Sequence, residues 1–269
     1  MLRLPAVAGR FYPDNPQELM ADVREYAKPQ PNQKPKHVQA CLVPHAGYRY
    51  SGPVAGAVFS HIAFPKRIVV AGVRHRPPGQ PISIISQGAW RTPLGDALID
   101  ETLASALKNE CPLLREDRVA HSAEHSLEVQ LPFLQVLSPD FTFVPIALGT
   151  ARFDDLVAVG EALARVLAAN PEVLLLTTSD LNHYEDDATT RRKDHKAIDQ
   201  ILALSPRGLY DVCRNEAISM CGLGPTVAML TALRTLAATR AELVRYATSA
   251  EASGDTSHVV GYAGFIFSE

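Results

Sequence analysis

No stretch of this chain is apolar for long enough to span a membrane, and Met1 to Asn15 hold no apolar run of signal-peptide length. There is no large excess of charge of either sign. The formal net charge is -3 over 269 residues, which gives no reason to expect nucleic acid or an anionic membrane as partner. Cysteine is sparse: Cys41, Cys111, Cys213 and Cys221 are widely spaced and form no C-x-x-C pair. A disulfide framework is therefore not expected, and free thiols in a reducing cytoplasm are. Internal repeats and low-complexity tracts are absent too. What is present is an apolar fraction of 46%, enough to bury a large core without staples.

The pattern along the chain is one of short apolar runs alternating with helical periodicity. Asn15-Pro16 opens a helix to about Tyr26, with Asn15 as cap and Pro16 at the first helical position. Buried strands are expected at Ala40–Val43, Arg67–Gly72, Ile82–Ser86, Phe141–Leu148 and Val173–Thr178, and final strands at Leu243–Ala247 and Val259–Phe267. Helices are expected from about Pro53 to Ile62, from Asp100 to Lys108, from Asp154 to Ala169, from Thr190 to Leu204, over Arg207–Arg214, and after Cys221-Gly222-Leu223-Gly224-Pro225. Trp90 to Gly95 reads as a turn-rich segment. Strands that alternate with helices predict an α/β fold, a single domain over 1–269 with a largely parallel central sheet flanked by helices.

Three histidines recur in one setting. His45, His75 and His183 each follow a buried apolar strand directly, where ligands bind in α/β sheets. Imidazoles converging from such ends suit a mid-row transition metal. Cys221 joins them because it precedes a glycine-rich helix start, where the helix dipole favours a thiolate. Asp180, three residues before His183, is placed to orient that ring as a general base. Tyr48 and Tyr50, each with an apolar ring and a polar tip, are placed to line a pocket. A competing pattern is His121-Ser122-Ala123-Glu124-His125, which matches the H-x-x-E-H of zinc peptidases. That reading needs a helix across all five residues, and the helix is expected to begin between or after the two histidines.

Pro44-His45-Ala46-Gly47-Tyr48, Gly72-x-x-His75, Trp90-x-Thr92-Pro93-Leu94-Gly95, Glu124-His125-Ser126-Leu127-Glu128, Ser179-Asp180-x-x-His183-Tyr184 and Cys221-Gly222 occur in this order. Together they resemble the Memo family, the MEMO1-like proteins, also called AmmeMemoRadiSam system protein B. The resemblance spans nearly the whole chain. It implies a fold like that of class III extradiol (LigB-like) dioxygenases, which hold non-haem Fe(II) with two His and a Glu and use a further His as acid/base. It further implies that a Cys takes the carboxylate's place. His45, His75 and Cys221 would then be the metal ligands, Asp180 and His183 the catalytic pair, and Tyr50 and His125 pocket residues. Fe(II) is the expected metal, copper is compatible with the thiolate, and zinc belongs to the H-x-x-E-H alternative. The resemblance implies radical SAM and AMMECR1-type proteins as partners, beside a small-molecule or peptide substrate. The family has Asn or Ser where this chain has Arg74, a cation that would favour an anionic substrate unless it points outward. A non-catalytic redox or partner-binding protein that keeps the cleft is the contrasting expectation.

Overall fold

The computed structural model describes residues 1–238 and 240–269. The strands are β1 (Leu2–Arg3), β2 (Ala40–Val43), β3 (Arg67–Val73), β4 (Ile82–Ile84), β5 (Ala89–Thr92), β6 (Gly95–Ile99), β7 (Arg115–Glu116), β8 (Thr142–Leu148), β9 (Leu174–Thr178), β10 (His183–Glu185), β11 (Arg240–Thr248) and β12 (Val259–Ser268). The helices are α1 (Pro16–Tyr26), α2 (Tyr48–Ser60), α3 (Glu101–Glu110), α4 (Arg118–Ser122), α5 (Leu131–Leu137), α6 (Phe153–Ala169), α7 (Asp187–Leu202), α8 (Pro206–Asn215), α9 (Leu223–Thr235) and α10 (Ala250–Ser253), with a 3-10 turn at Glu128–Gln130. One mixed sheet runs in the order β1-β5-β6-β8-β3-β9-β2-β12-β10. Its centre, β6-β8-β3-β9-β2, is parallel, and β12 closes it antiparallel to β2.

Alternation along the central strands divides the core in two. Ala40, Leu42, Val69, Ala71, Val144 and Ile146 face α3, α6, α7, α8 and α9. Cys41, Val43, Ile68, Val70, Leu174 and Leu176 face α1, α2 and α5. Both faces are covered, which is why these strands read as continuous apolar runs rather than as alternating ones. Cys41, Cys111 and Cys213 are spent in these cores as small hydrophobes.

Some expected elements differ. Helix α2 starts at Tyr48, five residues before the proline that marked its expected start, and Pro53 lies inside it. Gly52 and Gly56 make this possible: a Cβ at either would come within 2.7 and 2.3 Å of Tyr26, so the early turns pack directly on α1. Trp90 to Gly95 is part of a hairpin, β5 and β6, and Gly95 holds the turn at φ +120°. Among the described residues, no helix is long and apolar enough to cross a membrane.

Candidate metal centre

The parallel strands β3, β9 and β2 lie side by side, and their carboxyl ends deliver His75, Asp180 with His183, and His45 to one edge of the sheet. Cys221 arrives from the start of α9. Gly222 lets it come close: a Cβ there would fall 2.4 Å from both the Thr178 carbonyl oxygen and the Ser179 Cβ. The Gly222 amide donates to Ser179 Oγ at 2.9 Å, fixing the approach.

His45 is 1% exposed. Its Nδ1 meets Thr178 Oγ1 at 2.9 Å, and its Nε2 lies 3.1 Å from Cys221 Sγ. The Nδ1 of His75 meets Glu124 Oε1 at 2.9 Å, while its backbone amide donates to Glu124 Oε2 at 2.7 Å. Each ring therefore has Nδ1 engaged, which leaves Nε2 to face the centre. Donor atoms of His45, His75 and Cys221 lie within 4.8 Å of one another, as do those of Asp180, His183 and Cys221, and those of His75, Glu124 and His125. Two imidazoles held from behind, with a sulfur between them, fit a transition metal, and a carboxylate on the remote nitrogen is the usual support of a ligating histidine.

The electrostatics follow from burial. Burial pushes His45 down to about 3, and His75 beside it adds to this, so the ring is neutral and able to donate a lone pair. Burial lowers His125 to about 4. For Glu124 burial acts upward, but the hydrogen bonds from His75 and from the Ser126 amide overcome it and hold the carboxyl at about 2. Asp180 is raised by burial, against the His45 amide that donates to it at 2.8 Å. Burial also pushes the Cys221 thiol up, with Asp180 adding to the rise. The thiolate favoured by the helix dipole is thus not the resting form of this side chain without a cation beside it.

His183 is oriented by a different partner from the one its sequence suggests. Its Nδ1 donates to the Ser219 carbonyl at 2.9 Å and its amide to Ser219 Oγ at 2.8 Å, while Asp180 serves the His45 backbone. His183 Nε2 is left as the open nitrogen. His125 stacks on His75 at 4.5 Å between centroids, with Phe11 at 4.8 Å on it. Tyr50 is exposed on the first turn of α2. Tyr48, expected beside it in the pocket, is buried and donates to the Val129 carbonyl, because the helical turn rotates it into the core. Arg74 does not point outward: it lines a cavity shared with Cys221.

The H-x-x-E-H segment is split, but not where expected: helix α4 begins at Arg118, before His121, and ends at Ser122, so it takes in the first histidine and stops short of the second. His121 turns its ring to Ser83 and Trp90, and His125 goes to His75. Among the described residues, no cluster of metal-binding donors includes His121. The segment from Glu124 does other work. Ser126 bonds both the Val73 amide and carbonyl, and Gln130 donates to the Pro44 carbonyl at 3.0 Å. The ends of β3 and β2 are thus clamped by one strand of chain. Tyr262 on β12 is a neighbour the sequence did not reveal: it is buried, and its phenol is raised by burial and then by Asp180 and Tyr50.

A mostly parallel α/β sheet with a His/His/Cys cluster at its carboxyl edge defines the class. Residues 3–266 match the family model described as Memo-like protein. A MEMO1 family protein of Methanopyrus kandleri is 39% identical over 280 residues, covering 99% of both chains. One of Archaeoglobus fulgidus is 40% identical over 270 residues, again covering 99% of both. The chain belongs to the MEMO1 family. Among solved structures, an uncharacterized Escherichia coli K12 protein shares the fold with a TM-score of 0.51 at 12% identity, covering 84% of this chain and 99% of that one.

Proposed function

We propose that this protein is a metal-dependent oxidoreductase of the dioxygenase-like type, with iron(II) held by His45, His75 and Cys221. The observation that carries the reading is the convergence of three donors within 4.8 Å, with both imidazoles fixed through Nδ1 so that Nε2 faces the centre. When bound, iron(II) supplies a redox-active Lewis acid with positions open to substrate and O₂. His183, held at Nδ1 by Ser219, takes the substrate proton on Nε2. Phe11 and His125 line one side of the cleft beside His75. The thiolate donor is soft and suits copper as well. A small molecule or peptide is the substrate, the cytoplasm the setting, and radical SAM and AMMECR1-type proteins are the partners this reading carries over from the family resemblance.

Elemental analysis of protein purified without added metal, with O₂ uptake over a panel of catechols, tests this. His45→Ala and Cys221→Ser should lose the iron. His183→Ala should keep it and lose about 10²–10⁴-fold in turnover, the usual worth of general acid–base catalysis. Equal iron loss in all three would make His183 a ligand. Copper in place of iron would redirect the chemistry, and no stoichiometric metal would leave a partner-binding cleft.

A further inference from the structure

Cys221 also lines a second cavity, of about 270 Å³, between the end of β3, the loop after β8, α8 and the start of α9. Two arginines reach it. Arg74 donates from Nη1 to the Gly79 carbonyl at 2.9 Å, and the rest of its guanidinium lies over the bare Cα of Gly149. A Cβ on Gly149 would come within 2.6 Å of Nε and 3.1 Å of Nη2. Arg214 stands over the Tyr210 ring at 5.4 Å and donates to its hydroxyl at 3.3 Å, while Tyr210 is tied to the Ala151 carbonyl at 2.7 Å. Among the described residues, neither arginine has a carboxylate within ion-pair distance. Asp155, which Thr150 contacts at the rim, is paired with Arg152 at 3.3 Å. The remaining wall is largely apolar, with Val73, Leu148, Leu156 and Met220. No side chain caps α9, and Gly224 in its first turn lines the same cavity.

Two forked cations on one cavity, Arg74 half-buried and Arg214 exposed at its mouth, with no protein carboxylate to answer them, are an arrangement that recognises a carboxylate or phosphate. We infer that this cavity binds the anionic group of a small acid, between Arg74 and Arg214, with the body of the ligand toward Cys221. The volume admits one small acid, near the lower limit for ligand pockets. The functional meaning of this placement rests on the reading of Cys221 as part of the metal centre. The binding of the anion does not.

The test is calorimetric titration of the metal-free protein at low salt with inorganic phosphate and, separately, with malonate. One of the two should bind with a stoichiometry of one. Arg74→Gln and Arg214→Gln should each weaken it by about tenfold or more, as loss of a charge-assisted hydrogen bond does. Gly149→Ala, which displaces the Arg74 guanidinium, should weaken it as well. Iron content should be unchanged in these three variants, while His75→Ala loses iron and keeps the anion. Phosphate alone binding would identify a phosphorylated ligand, and malonate alone a carboxylic acid. Absence of binding by both anions, or binding unaffected by any of the three cavity variants, would overturn the inference. Anion binding in a protein that takes up no metal would leave it standing and refute the metal centre.

Discussion

Asp194 is fully buried on α7, and its two oxygens accept the Asn182 amide at 2.9 Å and the Tyr246 hydroxyl at 2.8 Å. Burial raises its carboxyl to about 6, and those hydrogen bonds only partly oppose the rise. The folded state therefore holds the proton over a window, from about 4 to about 6, in which the unfolded chain has released it. Stability from this group is present at the acid end of that window and is lost as pH rises through it. The expected loss is about 3 kcal/mol, since each tenfold gain in proton affinity on folding is worth about 1.4 kcal/mol. Asp194→Asn keeps an acceptor for the Asn182 amide and removes the titration. The difference in unfolding free energy between variant and wild type should grow in favour of the variant between pH 4 and pH 6.5, and a flat difference would refute the raised carboxyl. The histidines at strand ends and Cys221 were legible because each follows or opens an element in a way the chain itself announces. Glu124 as the partner of His75, Ser219 as the partner of His183, and Tyr262 were not. The members of each of these pairs stand 49 and 36 positions apart, and nothing local joins them.

One buried carboxylate ties the N-terminal segment to the core, beside the β1–β5 pairing and the bonds of Arg3 to the His121 and Glu124 carbonyls. Glu128 is fully buried and accepts from Arg3 Nη1 at 2.6 Å, from the Ala6 and Val7 amides, and from Tyr12 Oη at 2.6 Å. This segment also sets Arg3 over Trp90 at 4.0 Å and Phe11 against His125. Glu128→Ala strands the buried Arg3 charge and should cost about 3–5 kcal/mol, whereas Tyr12→Phe removes one hydrogen bond and should cost about 1 kcal/mol. Urea midpoints at unchanged slope measure both, and the Trp90 emission should move in Glu128→Ala alone. Equal costs would mean that Glu128 does not anchor the segment. Strands and long helices were readable here because apolar periodicity records burial directly. The start of α2 and the β5–β6 hairpin were not. In the first, packing against α1 carries turns that Pro53 argues against; in the second, Pro93 and Gly95 mark the turn more loudly than β5 marks its strand.

The candidate metal centre joins β2, β3, β9 and α9, and those strands carry both cores on their two faces. An ion bound there is absent from the unfolded chain, so it should stabilise the whole molecule rather than one edge. Iron(II) under anaerobic conditions at a hundredfold excess over its Kd should add about 2.7 kcal/mol. For a chain of this size that is a rise in Tm of about 5–10 °C, taking about 2–4 °C per kcal/mol. The chain's one tryptophan, Trp90, reports from β5, on the far side of β6, β8 and β3 from β9 and β2. Trp90 fluorescence and far-UV circular dichroism should therefore shift together, as one cooperative transition requires. His75→Ala should show no shift in either signal. A shift in circular dichroism alone would divide the sheet into two units, with the centre stabilising only the strands that carry its donors. An undiminished shift in His75→Ala would move the ion to another set of ligands.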